Sequence, residues 1–149
     1  MPGLFIIAHA PLATALRDAA MHAFPEAAQA IAVYDVLPGA SAEVGLAEAT
    51  ACLAAMCDKE TLILTDVFGA TPCNIARQLA GRPTVRVMAG VNVPMIWRAL
   101  NYRQKSLDDI AALAMAGASQ GVMAVTLNRP QQQTLQPVSH DSIDSHHQQ

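Results

Sequence analysis

The sequence is poor in charged and aromatic residues, which make up only 14% and 4% of its 149 residues. Its formal net charge is −3 and its basic residues are scattered, so no nucleic-acid-binding face is indicated. No apolar stretch reaches the roughly 18 residues that span a bilayer. No basic segment precedes the first apolar run, so neither a signal peptide nor direct membrane insertion is expected.

Cysteine is scarce as well, and the common cofactor motifs are missing. The three cysteines have no CxxC spacing, which argues against a disulfide framework or a metal site and favours a reduced, cytoplasmic chain. Neither GxxxxGK[ST] nor GxGxxG occurs, so nucleotide binding through those loops is disfavoured. His146 and His147 are two adjacent ligands in a polar segment, too few for a metal site. The sequence therefore implies no metal and no cofactor.

What the sequence does contain is apolar residues, 52% of the total, arranged in short runs. Runs without polar alternation are typical of parallel strands buried on both faces. Strands are predicted at 4–8, 30–36, 61–65, 84–89 and 122–127. Helices are predicted at 12–23, 42–57, 72–80, 94–101 and 107–119. This order predicts an α/β fold, with an open, mostly parallel, doubly wound sheet, helices on both faces and a final edge strand.

Three helix starts carry capping signals, and the end of the chain changes in composition. Ser41 and Ser106 are predicted N-caps, and Thr71 is a third, followed by Pro72 at the first helical position. From Arg129 onward the sequence is rich in Gln, Ser, His and Asp. Such a segment cannot bury enough apolar surface to offset its ordering entropy. We therefore expect one domain over residues 1–128 and a polar, disordered tail over 129–149.

Two reactive side chains follow buried strands. His9 ends the first strand and Asp66 follows the third. Ligands of open parallel sheets bind outside the carboxyl ends of the strands, where the strand order reverses. If these two strands are neighbours, the side chains meet there. The carboxylate would fix the tautomer of the imidazole and make its other nitrogen a better nucleophile. Taken alone, each residue also has an ordinary interpretation, as a loop histidine and a turn-capping aspartate.

The segment after Asp66 has the composition of an anion-binding loop. Gly69 and Ala70 are small and allow the backbone to approach a ligand closely. Thr71 supplies a hydroxyl, and the helix that follows supplies unpaired N–H groups at its positive end. A phosphoryl group on His9 would find donors here. A simple Thr71 cap with no ligand remains an alternative interpretation.

Four stretches together resemble the enzyme IIA component of the mannose family of the bacterial phosphoenolpyruvate-dependent sugar phosphotransferase system. They occur in the family's order, at residues 5–10, 36–43, 64–74 and 89–95. The resemblance implies that His9 accepts a phosphoryl group from the phosphocarrier protein HPr and passes it to a IIB protein, with Asp66 as its partner. It also implies that Pro38, Gly39 and Asn92 lie at the rim of the site, and that the protein is a homodimer with the final strand at the interface.

Some departures from the family pattern leave two functions open. Ala8 and Ala10 flank His9 where the family often has glycine. No IIB domain follows, so the next acceptor would be a separate IIB protein. In the alternative, phosphorylation of His9 controls binding to a regulatory target without sugar transport.

Two other classes of α/β protein fit the sequence poorly. A receiver domain phosphorylated on Asp66 is rejected because residues 4–11 contain no acidic residue to hold Mg²⁺. A flavin-binding domain is disfavoured because the loop after the first strand, residues 10–14, has a single hydroxyl and no glycine.

Overall fold

The computed structural model describes residues 1–126, in which strands and helices alternate. The strands are β1 (Gly3–His9), β2 (Ala32–Val36), β3 (Thr61–Thr65) and β4 (Val85–Ala89). The helices are α1 (Leu12–Met21), α2 (Pro25–Gln29), α3 (Ala42–Ala55), α4 (Thr71–Leu79), α5 (Val93–Asn101) and α6 (Leu107–Gln120). Apart from α2 and the final strand, the predicted elements are confirmed, with bounds that differ by at most two residues.

The four strands form one parallel sheet in the order β2-β1-β3-β4. The chain runs from β1 to β2 on one side and then crosses β1 to build β3 and β4 on the other. The strand order therefore reverses between β1 and β3. Their register pairs Ile7 with Thr65, so His9 and the residue after Thr65 emerge at the same edge. The predicted open, doubly wound parallel sheet is confirmed, and its reversal point lies between the two candidate residues.

Helices cover both faces of the sheet, as predicted. Leu4 and Ile6 pack with α1, α2, α5 and α6, whereas Phe5 and Ile7 pack with α3 and α4. All four of these side chains are fully buried or nearly so. Because β1 is covered on both faces, its apolar run has no polar alternation, which is the pattern that predicted it. The two apolar layers hold the carboxyl ends of β1 and β3 in fixed relative positions.

The short helix α2 was not expected. It has five residues, too few for a helical period to appear in the sequence. Pro25 lies in its first turn, where a missing N–H is tolerated. Ala28 is buried against the face that α1 also covers, so tertiary packing holds this turn in place. The predicted second strand, 30–36, accordingly begins at Ala32.

The final edge strand predicted over 122–127 is not formed in the part of the chain that the structure describes. After α6, residues 122–126 have no regular secondary structure, and Val125 is 97% exposed. An apolar run forms a strand only where it pairs with a neighbouring strand, and residues 122–126 pair with none of the four strands. Leu127 and the predicted tail, 129–149, lie outside the described residues. None of the helices described is long and apolar enough to cross a membrane.

Candidate functional site

His9 and Asp66 are in direct contact at the reversal point. Asp66 Oδ2 accepts a hydrogen bond from the backbone N–H of His9 at 2.9 Å and lies 2.7 Å from its ring Nδ1. The side chain of His9 is 54% exposed, whereas that of Asp66 is only 8% exposed. The contact predicted from the strand ends is therefore present. In the neutral ring, the tautomer that carries its proton on Nδ1 donates this N–H to the carboxylate, and the lone pair of Nε2 is then free.

The carboxyl group of Asp66 is kept ionised by its hydrogen bonds. Burial by itself would raise its pKa, but the backbone and ring N–H groups of His9 and the backbone N–H of Val67 lower it below its usual value. The Val67 N–H donates to Oδ1 at 2.8 Å, so each carboxylate oxygen has a donor. A charged acceptor of this kind holds the imidazole more firmly than a neutral one would.

The loop after β4 fixes the backbone that carries Asp66. The N–H of Gly90 donates to the carbonyl of Asp66 at 2.7 Å, and the N–H of Val91 donates to the carbonyl of Thr65 at 3.0 Å. Gly90 has a φ of +87°, which few residues other than glycine adopt without strain. The Gly90–Asn92 loop, which contains one of the expected rim residues, therefore lies next to Asp66.

Helix α4 begins one residue earlier than predicted, so the predicted Thr71 N-cap was wrong. Thr71 is the first helical residue, and Ala70 occupies the N-cap position in an extended conformation. The cause is Gly69, whose φ of +86° turns the chain into the helix before Thr71 is reached. Ala70 has no side-chain acceptor, so no side-chain cap satisfies the first-turn N–H groups of α4. These groups and the Thr71 hydroxyl lie at the same sheet edge as His9.

The predicted rim residues have different environments. Pro38 and Gly39 form an exposed turn directly after β2, at the same edge of the sheet. The side chain of Asn92 is engaged within the fold: its Oδ1 accepts from the N–H of Met95 at 2.9 Å, and its Nδ2 donates to the carbonyl of Ala118 at 3.3 Å. Asn92 therefore caps α5 and ties it to α6, and only its backbone is left to border the site.

A second carboxylate, which the sequence interpretation missed, lies on the other side of β1. Asp35 of β2 accepts hydrogen bonds from the backbone N–H groups of Ala13 and Thr14, at 2.9 and 3.3 Å, and from the Thr14 hydroxyl. These donors belong to the first turn of α1, the helix that follows His9. The sequence did contain a signal for Asp35, because it is the one charged residue in β2 and stands one position before the end of the strand.

Exposed apolar side chains stand around this edge. Leu37 follows β2, and Val67 and Phe68 follow β3; all three are mostly exposed, Phe68 at 80%. Apolar side chains that are grouped on a surface and rimmed by polar groups are typical of a protein-binding face.

The described residues offer no metal centre. Among residues 1–126, no group of three or more His, Cys, Asp or Glu side chains is placed to hold a metal ion. Cys73, in the first turn of α4, is buried within the apolar layer of the helix. The pair His146 and His147 lies outside the described residues.

Both the sequence and the fold are similar to those of phosphotransferase IIA proteins. A family model described as the fructose IIA component of the phosphotransferase system (EIIA-man) matches residues 3–115. The mannose/sorbose-specific IIA subunit from Enterococcus faecalis is 26% identical, with a TM-score of 0.79 over 86% of this chain and 97% of that one. Component EIIA from Streptococcus agalactiae is 21% identical, with a TM-score of 0.72 over 83% of this chain and 97% of that one.

A third similar structure is the IIA protein associated with the fucose utilization operon of Streptococcus pneumoniae. It is 17% identical, with a TM-score of 0.71 over 83% of this chain and 92% of that one. At such identities the two streptococcal structures show a shared fold. Curated protein sequences give no significant match.

Proposed function

Because the chain belongs to the fructose/mannose IIA family of the phosphotransferase system, we propose that it is a phosphohistidine carrier acting through His9. It accepts a phosphoryl group from HPr and passes it to a separate IIB protein. The observation that carries this proposal is the 2.7 Å contact between His9 Nδ1 and Asp66 Oδ2 at the point where the strand order reverses.

The contact makes Nε2 of His9 the attacking atom. Its lone pair forms a bond to the phosphorus of the donor phosphohistidine, while the bond between that phosphorus and the donor nitrogen breaks and its electron pair stays on the donor ring. The His9 ring becomes positively charged as the new bond forms. Asp66 stabilises that charge through the Nδ1–H, and orientation supplies much of the remaining rate enhancement.

The first turn of α4 supports the phosphoryl group as it moves. Its N–H groups have no side-chain cap, and a helix N-terminus favours negative charge. The Thr71 hydroxyl adds a further donor, and Gly69 and Ala70 have no bulky side chain to block the approach. These groups stabilise the charge on the transferring oxygens.

The exposed apolar residues Leu37, Val67 and Phe68 favour a protein as the donor and acceptor of the phosphoryl group. They stand at the same sheet edge as His9, so a partner that covers them also excludes water from the imidazole. A small phosphate ester would leave this surface exposed to solvent.

We also propose that the protein is a homodimer. Strand β4 pairs on one side only within the described residues, and the apolar residues that follow α6 are largely exposed. An unpaired strand edge and an exposed apolar segment are features that strand addition from a second copy would satisfy.

The test of the carrier function is phosphorylation from phosphoenolpyruvate through enzyme I and HPr, followed by intact mass. We expect the wild type to gain one phosphoryl group and His9→Ala to gain none, with an unchanged circular dichroism melt. His22→Ala is the matched control, because His22 lies at the end of α1 and should not affect labelling. Labelling that persists in His9→Ala would overturn the assignment.

The same labelled protein distinguishes the two downstream roles. A carrier loses its phosphoryl group to a IIB protein on mixing. In the regulatory alternative the label stays on His9 in the presence of IIB, and the two charge states differ in affinity for a protein partner.

A further inference from the structure

Four helices of the described chain begin at the carboxyl edge of the sheet: α1, α3, α4 and α5. Three of them have their first-turn N–H groups occupied by a side chain. Ser41 accepts from the N–H of Glu43 in α3, Asn92 accepts from that of Met95 in α5, and Asp35 accepts from two N–H groups of α1. Helix α4 alone among the four has no side-chain cap.

The cap on α1 differs from the other two because it comes from another element. Pro11 occupies the N-cap position and makes no side-chain hydrogen bond, so the helix depends on Asp35 in β2. The backbone is anchored to β2 a second time, because the N–H of Ala10 donates to the carbonyl of Val36 at 2.9 Å. The residues between His9 and α1 are thus fastened to β2, while the ring and backbone N–H of His9 are bonded to Asp66, directly after β3.

The two carboxylates therefore hold β1 and its loop from opposite sides. Asp66 binds the ring and N–H of His9, and Asp35 binds Ala13 and Thr14 in the first turn of α1. A helix N-terminus that already holds a carboxylate has its donors occupied and its positive end neutralised. A negatively charged phosphoryl group at Nε2 of His9 would therefore be repelled by the carboxylate at the start of α1 and attracted to the free N–H groups at the start of α4.

We propose that Asp35 is a positioning residue for phosphoryl transfer at His9, an inference that rests on the proposed carrier function. It fixes the loop after β1 so that the ring stays against Asp66. It also occupies the α1 terminus, so that α4 is the helix end left for the phosphoryl group. The hydrogen bonds of Asp35 go to Ala13 and Thr14, so it acts on His9 through the first turn of α1.

The variants are Asp35→Ala, which removes the acceptor, and Asp35→Asn, which keeps an acceptor oxygen. The matched control is Ser106→Ala, which removes the N-cap of α6 beside the amino end of β4, away from the site. Rates of transfer from phosphorylated HPr are measured at several HPr concentrations to separate kcat from KM. The imidazole ¹⁵N shifts of His9 report its tautomer and its bond to Asp66.

We expect Asp35→Ala to lower kcat roughly 10- to 100-fold with little change in KM, because the ring is misplaced and the docking surface is intact. The ¹⁵N shifts should move toward a mixture of tautomers. Asp35→Asn should recover most of the rate, and Ser106→Ala should lower the melting temperature without changing kcat. Thr14→Ala removes one of the three hydrogen bonds to Asp35 and should cause a smaller loss of kcat. This variant replaces Asp35→Ala in the test if Asp35→Ala does not fold.

Two outcomes separate this inference from the proposed function. If the wild type takes up no phosphoryl group, the carrier function fails, and the ¹⁵N shifts still decide whether Asp35 positions the ring. If the wild type is labelled and the Asp35 variants match Ser106→Ala in both kcat and ring shifts, the carrier function stands. Asp35 is then a cap for α1 and nothing more.

Discussion

Asp66 combines low exposure with a lowered pKa, so it is charged wherever the protein is folded at neutral pH. Its charge is compensated entirely by N–H donors, two of which belong to His9. In the proposed transfer, the carboxylate would stabilise positive charge on the ring. It would repel the attached phosphoryl group at longer range, which would keep the adduct energetic enough to be passed on.

Replacing Asp66 by Asn tests this role. The amide keeps the shape but loses the charge, and it can present its NH₂ group to the ring and favour the wrong tautomer. Loss of an orienting carboxylate beside a serine-protease histidine lowers kcat about 10⁴-fold. We expect a smaller fall here, because HPr also positions its own phosphoryl group. The measurement is the rate of transfer from phosphorylated HPr, with a circular dichroism melt to show that the variant is folded.

The pH dependence of unfolding provides the control for that variant. A carboxyl whose pKa is lower in the folded state stabilises the fold above its unfolded pKa, which is about 4. That stabilisation is lost as the pH falls through the folded value. The difference in free energy of unfolding between wild type and Asp66→Asn should shrink as the pH falls below about 4. A near wild-type transfer rate in a folded variant would reduce Asp66 to a capping residue.

At the scale of the elements, the packing of α5 on α6 supports the site from a distance. Asn92 both caps α5 and donates to the carbonyl of Ala118 in α6. The loop that ends at Asn92 also donates to the Asp66 carbonyl through Gly90. The distance between the two helices is set by Gly117, where an added Cβ would lie 2.7 Å from Cβ of Arg98 and 3.2 Å from the Pro94 carbonyl oxygen.

Gly117→Ala should therefore destabilise the protein in spite of the higher helix propensity of alanine. Overpacking costs about 1–3 kcal/mol and the gain in propensity is about 1 kcal/mol, so we expect a net loss of up to about 2 kcal/mol. The measurement is urea unfolding followed by circular dichroism. Gly81→Ala is the control, since nothing lies within 4 Å of its added Cβ, and its stability should stay within about 0.5 kcal/mol of wild type. Equal stability of the two variants would show that the helices can separate freely.

At the scale of the whole molecule, the proposed dimer depends on apolar side chains that a single chain leaves in solvent. Val122 and Val125 follow α6 and are largely exposed, as is Val44 on α3. Only the first two belong to the segment that was expected to form the final strand. Their burial against a second copy would remove apolar surface from water.

We expect the wild type to sediment as a dimer and the double variant Val122→Glu, Val125→Glu to sediment as a monomer at the same concentration. Two charges in an apolar interface are disfavoured because they would lose their hydration there. Val44→Glu adds a charge to another exposed apolar position and should leave the dimer intact. A wild type that is monomeric at all concentrations tested would refute the dimer, and a dimeric double variant would place its interface elsewhere.

Most of the fold could be predicted from the sequence because its signals are local. Buried parallel strands appear as unbroken apolar runs, and the caps Ser41 and Ser106 lie within three residues of the N–H groups that they bind. The contact of His9 with Asp66 could be predicted too, because both follow such strands and the carboxyl ends of parallel strands share one edge.

The tertiary structure alone showed that, of the four helices that begin at this edge, only α4 has no side-chain cap. Thr71 looked like a cap in the sequence, but the turn at Gly69 starts α4 one residue sooner. Asp35 looked like an ordinary strand residue, but it caps a helix more than twenty positions earlier in the chain. Strand order, register and the entry angle of each helix are long-range properties that no local pattern encodes. The expected final strand is absent from the described residues because a strand forms only by pairing with another strand, and such pairing is also a long-range property.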